Sequence, residues 1–160
     1  MKKILIFLFI SAFTLSLVAQ NAEPYDFKEY KRLPATPVKS QDQTGTCWSF
    51  STTSFLESEV LRLGKGEHNL SEMFTVRHIY RRKCENYVRR LGKAQFSEGG
   101  LAHDNINVVR LFGVAPESVY PGRKDPSQPF NHSQLVQQLK KMCDEYIALA
   151  DKGQLQEDWL

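Results

Sequence analysis

From about Thr46 onward the apolar positions recur at helical spacing in four stretches, and before it they do not. In the first stretch, Trp48, Phe50, Phe55, Leu56, Val60, Leu61 and Leu63 spread around most of a helical circumference. That pattern predicts a largely buried helix from about Thr46 to Leu63, stopped by Gly64 and Gly66. A second helix is predicted from Ser71, a good N-cap, with Leu70 placed to pack back over its first turn. Met73, Val76, Tyr80, Cys84, Tyr87 and Leu91 follow at steps of three and four, and Gly92 ends it. A third, shorter helix comes after Gly99-Gly100, carries Ile106, Val109 and Phe112, and stops at Gly113 before Pro116. The turn-rich run from Tyr120 to Pro126 separates it from a fourth, predicted from about His132 to Lys152. Leu135, Leu139, Met142, Tyr146 and Leu149 form its stripe, and Gly153 closes it. Hardly any strand is expected.

Ahead of these helices, residues 20–46 carry no helical period, because Pro24, Pro34 and Pro37 break it and Leu33 to Val38 reads as extended chain. Further upstream, Met1-Lys2-Lys3 is followed by an apolar run, Ile4 to Ala19, interrupted only by Ser11, Thr14 and Ser16. Such a run is short for a membrane span and reads as a signal peptide over residues 1–19. The expected location is therefore periplasmic or extracellular, without a stable membrane anchor. The resulting partition is a leader (1–19), an extended segment (20–46) and a helical domain (47–160). The ending Asp158-Trp159-Leu160, apolar and without a polar tail, suggests a truncated chain.

Composition adds exclusions. With 41% apolar and 24% charged residues, the chain is neither a disordered polyampholyte nor a polytopic membrane protein. Two of the cations behind the formal charge of +3 are Lys2 and Lys3, so no basic face for nucleic acid is expected. The three cysteines, Cys47, Cys84 and Cys143, are too few for a disulfide scaffold. None stands in a C-x-x-C, a haem-attachment motif or a zinc-type cluster, so no metal or cofactor is implied.

The segment Thr36-Pro37-Val38-Lys39-Ser40-Gln41-Asp42-Gln43-Thr44-Gly45-Thr46-Cys47-Trp48-Ser49-Phe50-Ser51 stands apart. Cys47 lies where an irregular loop becomes a helix, so its sulfur faces unsatisfied N–H groups and the positive end of the helix dipole. Gly45 permits a tight turn. Gln41 can fold back to point its side-chain amide beside the sulfur, and with the Cys47 N–H that makes two donors for a developing oxyanion. A lone Cys at a helix start is more often a small buried apolar residue. The surrounding string argues for a nucleophile.

That string, T-P-V-K-x-Q followed after five intervening residues by C-W-x-F-S, resembles the nucleophile signature of the papain-like cysteine peptidases. Leu70-Ser71-Glu72 is similar to the family's L-S-E helix start, and Glu98-Gly99-Gly100 to the strip lining its substrate cleft. The resemblance implies an α+β papain-like fold of which this chain covers mainly the helical left-hand domain, with the nucleophile helix and without the β-rich second domain. It implies Cys47 as nucleophile, Gln41 as oxyanion donor, Gly99 and Gly100 as holders of substrate backbone, and Trp48 packed beneath the site as part of the substrate-binding set. The partner would be a peptide or protein substrate. Where the papain-proper branch has a disulfide, this chain has Thr44 and Ser97, and no long propeptide fits before Thr36. Those features, and the run Phe112-Gly113-Val114-Ala115-Pro116, resemble the aminopeptidase C/bleomycin hydrolase branch, whose members often form closed homo-oligomers.

The family's catalytic His and Asn lie far downstream of the nucleophile on the second domain. None of His68, His78, His103 or His132 stands in a matching context. His132 follows Asn131 but precedes a helix rather than an apolar strand. The 160 residues are thus expected to be inactive alone. A rival reading is a catalytically incomplete helical module that binds peptide or a partner protein. Cys84 and Cys143 fall on apolar helix stripes, where packing is the plain reading; if they paired, Cys47 would be the thiol left free.

Overall fold

The computed structural model describes residues 25–156 and Trp159. The predicted leader lies outside these residues. Contacts divide the chain into two units, residues 1–32 and 33–160. In the described part of the first, Arg32 pairs with Glu29 at 2.8 Å. The second unit carries four helices: α1 (Cys47–Arg62), α2 (Glu72–Arg89), α3 (Ala102–Phe112) and α4 (Ser133–Asp151). Among the described residues the only β pairing is two isolated bridges, Gln43 with Asn131 and Leu70 with Pro116. No described helix is long and apolar enough to cross a membrane.

Each helix begins and ends for local reasons. Ser71 caps α2, its Oγ accepting from the Phe74 N–H at 3.0 Å and donating to the Tyr120 carbonyl at 2.5 Å. Asp104 turns back to accept the Leu101 N–H at 2.9 Å and opens α3. Gly113 ends α3 and Gly153 follows α4, both with positive φ (77° and 67°).

The helices pack around α2, which touches each of the others. One apolar cluster joins Trp48 of α1, Met73, Val76, Ile79 and Tyr80 of α2, Val108 of α3, and Phe130. A second joins Cys84, Tyr87 and Val88 of α2 to Cys143 of α4. Burying each aliphatic side chain of this kind contributes about 1.5–3 kcal/mol, so α2 is the spine of the unit.

Helix positions match the sequence reading closely; buried faces match less well. The expected apolar burial of α1 holds at Trp48 and in part at Phe50, Leu56, Val60 and Leu61, but not at Phe55 and Leu63. Phe55 and Leu63 are about three-fifths exposed, while the buried positions are Trp48, Ser49, Thr52, Thr53 and Glu57. Small polar residues let α1 approach its neighbours closely, and their polar atoms are paired. Ser49 Oγ donates to the Glu72 carbonyl at 3.0 Å, and Asn105 Nδ2 donates to Thr53 Oγ1 at 3.2 Å. On α3 the buried residues are Asn105 and Val108, not Ile106 and Phe112, which are exposed. On α4 the contact line passes through Val136, Leu139, Cys143, Tyr146 and Ile147, with Leu135, Met142 and Leu149 about two-fifths exposed. Leu91 is exposed beyond the end of α2.

Candidate active site

Two neighbours fix the loop that precedes α1. On one side Gln43 donates its N–H to the Phe130 carbonyl at 3.0 Å, and the Asp42 carboxylate accepts the Phe130 N–H at 2.9 Å. That N–H bond, with Ser40 and the Arg123 guanidinium at 3.7 Å, holds the Asp42 carboxyl below its usual range. On the other side the Gly45 N–H donates to Glu98 Oε2 at 2.6 Å. The approach is so close that a Cβ on Gly45 would stand 2.9 Å from the Glu98 Cβ. Gly45 is there because nothing larger fits.

Cys47 is the first residue of α1 and is exposed, whereas Thr46, Trp48 and Ser49 around it are buried. Thr46 occupies the N-cap position but makes no side-chain cap bond. Its hydroxyl pairs instead with Thr44 Oγ1 at 2.5 Å. The first turn therefore keeps its N–H groups free of a side-chain acceptor, beside an accessible sulfur. Gln41 is half-buried, and its Nε2 donates to the Thr44 carbonyl. Thr44 Oγ1 returns a bond to the Gln41 carbonyl at 2.8 Å. An amide nitrogen has two hydrogens, so this bond orients the Gln41 side chain and leaves one donor unspent.

Trp48 is buried, and its indole N–H donates to the Glu98 carbonyl at 3.0 Å. Gly100 lies directly on the indole face, where a Cβ would stand 2.6 Å from Trp48 Cε2. Trp48 thus supports the glycine strip from below, out of reach of a ligand in the open. Gly99 is exposed, and Lys83 of α2 holds its carbonyl and that of Ser97, the latter at 2.8 Å. The loop before α1 and the Gly99–Gly100 strip are stitched by Glu98: its side chain to Gly45, its backbone to Trp48.

None of the four histidines is hydrogen-bonded to Cys47. His68 contacts the Lys65 carbonyl at 3.0 Å, and His78 stacks on Phe112 with ring centroids 4.1 Å apart. His103 is exposed, 3.6 Å from Asp104. His132 is buried with Nδ1 3.1 Å from the Tyr80 hydroxyl, and that burial lowers its pKa. It lines a cavity between α2 and α4 that Cys47 does not reach. Among the described residues no cluster of His, Cys, Asp or Glu could hold a metal ion.

Residues 21–158 match the papain family of cysteine proteases. The chain belongs to that family. Among curated proteins it is 33% identical over 102 residues to Cysteine proteinase 1 of Dictyostelium discoideum, covering 63% of this chain and 29% of that protein. It is 34% identical over 88 residues to the Senescence-specific cysteine protease SAG39 of Oryza sativa subsp. indica, covering 54% and 23%. With the Viral cathepsin of Autographa californica nuclear polyhedrosis virus it shares 30% identity over 132 residues, covering 81% and 36%. The chain thus spans little more than a third, at most, of these relatives' own lengths. They are papain-like and cathepsin-like proteases; none is an aminopeptidase C.

One part of this papain-family site was not singled out from sequence. Lys39, two residues before Gln41, reaches Glu57 Oε1 at 3.2 Å, the Asn69 side chain at 2.9 Å and the Leu70 carbonyl at 3.1 Å. Glu57 is fully buried and also accepts Thr36 Oγ1 at 2.6 Å and the Leu70 N–H at 2.7 Å. The available signal was a carboxylate on the Ser49-Thr53-Glu57 face of α1, where a charge is tolerated only with partners. Glu72, the last letter of the L-S-E match, supplies a second buried carboxylate 2.5 Å from Lys39 Nζ. That approach is an ion pair off the hydrogen-bond line, since Glu72 Oε1 has no hydrogen-bond partner.

Proposed function

We propose that this chain is the nucleophile-bearing, N-terminal portion of a cysteine peptidase in which Cys47 attacks a peptide carbonyl. The observation that carries the reading is an accessible Cys47 at the uncapped start of a helix whose next residues are buried. The Cys47 thiolate adds to the carbonyl carbon, and the oxyanion is met by the Cys47 N–H and the remaining Gln41 N–H. The amine leaves with a proton, a thioester forms, and water releases the acid. Gly99 and Gly100 receive the substrate backbone, and Trp48 keeps Gly100 in place.

The proton acceptor and its orienting Asn are not read in this chain: His68, His78 and His132 have other partners, and His103 is exposed beside Asp104. We therefore assign that pair to the protein's second domain, and the 160 residues alone are a nucleophile without a base. Aminopeptidase-like action on an exported peptide or protein substrate is favoured by Thr44, Ser97 and the Phe112–Pro116 run.

The experiment is labelling of the purified chain with a peptidyl epoxide, read by peptide mapping. Modification at Cys47 at least about tenfold faster than in the urea-unfolded chain is expected. Equal rates would overturn the reading. In parallel, a fluorogenic peptide amide should not be turned over. Epoxide-sensitive hydrolysis would overturn the assignment of the base to another domain.

A further inference from the structure

Outside the Cys47 site the unit holds two more thiols, and the fold brings them together. Cys84 on α2 and Cys143 on α4 are 59 positions apart in sequence, yet they share one buried cluster. Cys143 has no exposed surface and Cys84 is 7% exposed. Tyr87 and Val88 complete the cluster, and Phe96, Tyr146 and Ile147 pack against it. Both are free thiols in this structure. Burial raises the pKa of both thiols, and for Cys143, with Cys84 nearby, it is pushed up to about 12.

Packing alone would leave them as two small apolar side chains. A second feature points further. Both line the cavity of about 510 Å³ between α2 and α4, whose walls are otherwise mainly apolar. Arg77 and Arg81, exposed and one turn apart on α2, also line it, and neither is ion-paired with an acidic side chain among the described residues. The thiol pair therefore borders a cavity that two cationic side chains also line.

We propose that Cys84 and Cys143 are a disulfide-forming pair that ties α2 to α4, oxidised by an anionic low-molecular-weight disulfide of the oxidised-glutathione class. Cys84, the more accessible, loses its proton and attacks one sulfur of the reagent, expelling a thiolate. Cys143 then loses its proton and attacks Cys84 Sγ in the mixed disulfide, expelling the second thiolate. The two thiolates take up the two protons. The protein loses two electrons and two hydrogens, and the reagent is reduced to two thiols. Because both protein thiols are held protonated, exchange is slow near neutrality and accelerates as pH rises. The closed bond spans a long stretch of chain, so it raises thermal stability.

The test uses the full chain as Cys47→Ser, which removes the exposed third thiol without touching the core. It is incubated with oxidised glutathione from pH 7 to 9, quenched in acid, and mapped without reduction. Expected are a Cys84–Cys143 cross-linked peptide, an intact-mass loss of about 2 Da with no retained glutathione, and a rate rising about tenfold per pH unit. A rise of the Tm of about 5 °C or more should follow, reversed by dithiothreitol. Three outcomes would each overturn the proposal: a stable glutathione adduct on either cysteine, an intermolecular disulfide, or unreacted thiols at pH 9 under conditions that oxidise the urea-unfolded chain. Cys143→Ala in the same background distinguishes the steps, since it should stop at the mixed disulfide on Cys84.

Discussion

Lys39 Nζ lies 3.2 Å from Glu57 Oε1, and through that contact the loop carrying Gln41 is fastened to the interior of α1. Glu57 has no exposed surface, and its carboxylate accepts bonds from Thr36, Lys39 and Leu70 together. Replacing it leaves a part-buried ammonium with fewer partners and two orphaned donors. Glu57→Ala is expected to cost about 3–5 kcal/mol, measured by urea unfolding. A loss below about 1 kcal/mol would show that Glu57 does not anchor the loop.

Glu72 behaves differently, because the same ammonium serves two carboxylates. Burial raises the Glu72 pKa, and the opposing pull of Lys39 does not cancel it. For Lys39, burial works against the charge, but the two neighbouring carboxylates, Glu72 and Glu57, outweigh it and raise its pKa. Above the ordinary glutamate value of 4.5, the folded state holds the Glu72 proton more tightly than the unfolded chain. Stability linked to this group is therefore complete at lower pH and declines as pH rises through the folded pKa. Glu72→Gln is expected to shift the stability difference from wild type in the variant's favour between pH 4 and pH 7. Urea midpoints at the two pH values check this, and a shift in the wild type's favour contradicts it.

The two glycines of the cleft strip should respond unequally. A Cβ at Gly100 would sit 2.6 Å from Trp48 Cε2, whereas at Gly99 its nearest neighbour is Ser97 Oγ at 4.0 Å. Neither is in the left-handed region, so the contrast is one of space. Gly100→Ala is expected to cost about 1–3 kcal/mol and to change the near-ultraviolet circular dichroism of the displaced indole. Gly99→Ala should stay within about 0.5 kcal/mol of the parent. Equal effects would show that the strip does not rest on Trp48.

These residues also show what the sequence made legible. Gly and Ser/Thr signals at Gly64, Ser71, Gly113 and Gly153 place the helix ends, because caps are local chemistry. The motif around Cys47 is likewise one short local run, and the structure puts Cys47, exposed, at the first position of α1. Which face of each helix is buried depends on partners distant in sequence. The α1 face of Ser49, Thr53 and Glu57 is inside because Glu72, Asn105, Thr36 and Lys39 arrive to pair with it. Hydrophobic periodicity has no means to anticipate that, and it therefore turned Phe55 and Ile106 inward when they are exposed. Glu98 was legible only as a letter beside two glycines. Its role in joining the loop before α1 to the Gly99–Gly100 strip needs the fold.

The proposed division of labour at Cys47 can be separated by choice of electrophile. Gln41 Nε2 is held by the Thr44 carbonyl, and its second N–H is the donor assigned to the oxyanion. An activated ester is attacked at a carbonyl and develops that oxyanion; iodoacetamide is displaced at carbon and develops none there. If Gln41 acts as an oxyanion donor, Gln41→Ala should slow acylation of Cys47 by a p-nitrophenyl peptide ester about 10²-fold. Alkylation by iodoacetamide should change by less than about threefold, because the sulfur and its helix end remain. A parallel loss in both reactions would mean that Gln41 only shapes the loop. Wild-type rates in both would remove it from the chemistry altogether. Because each electrophile reports on the same thiol in the same chain, the comparison needs no turnover and no second domain.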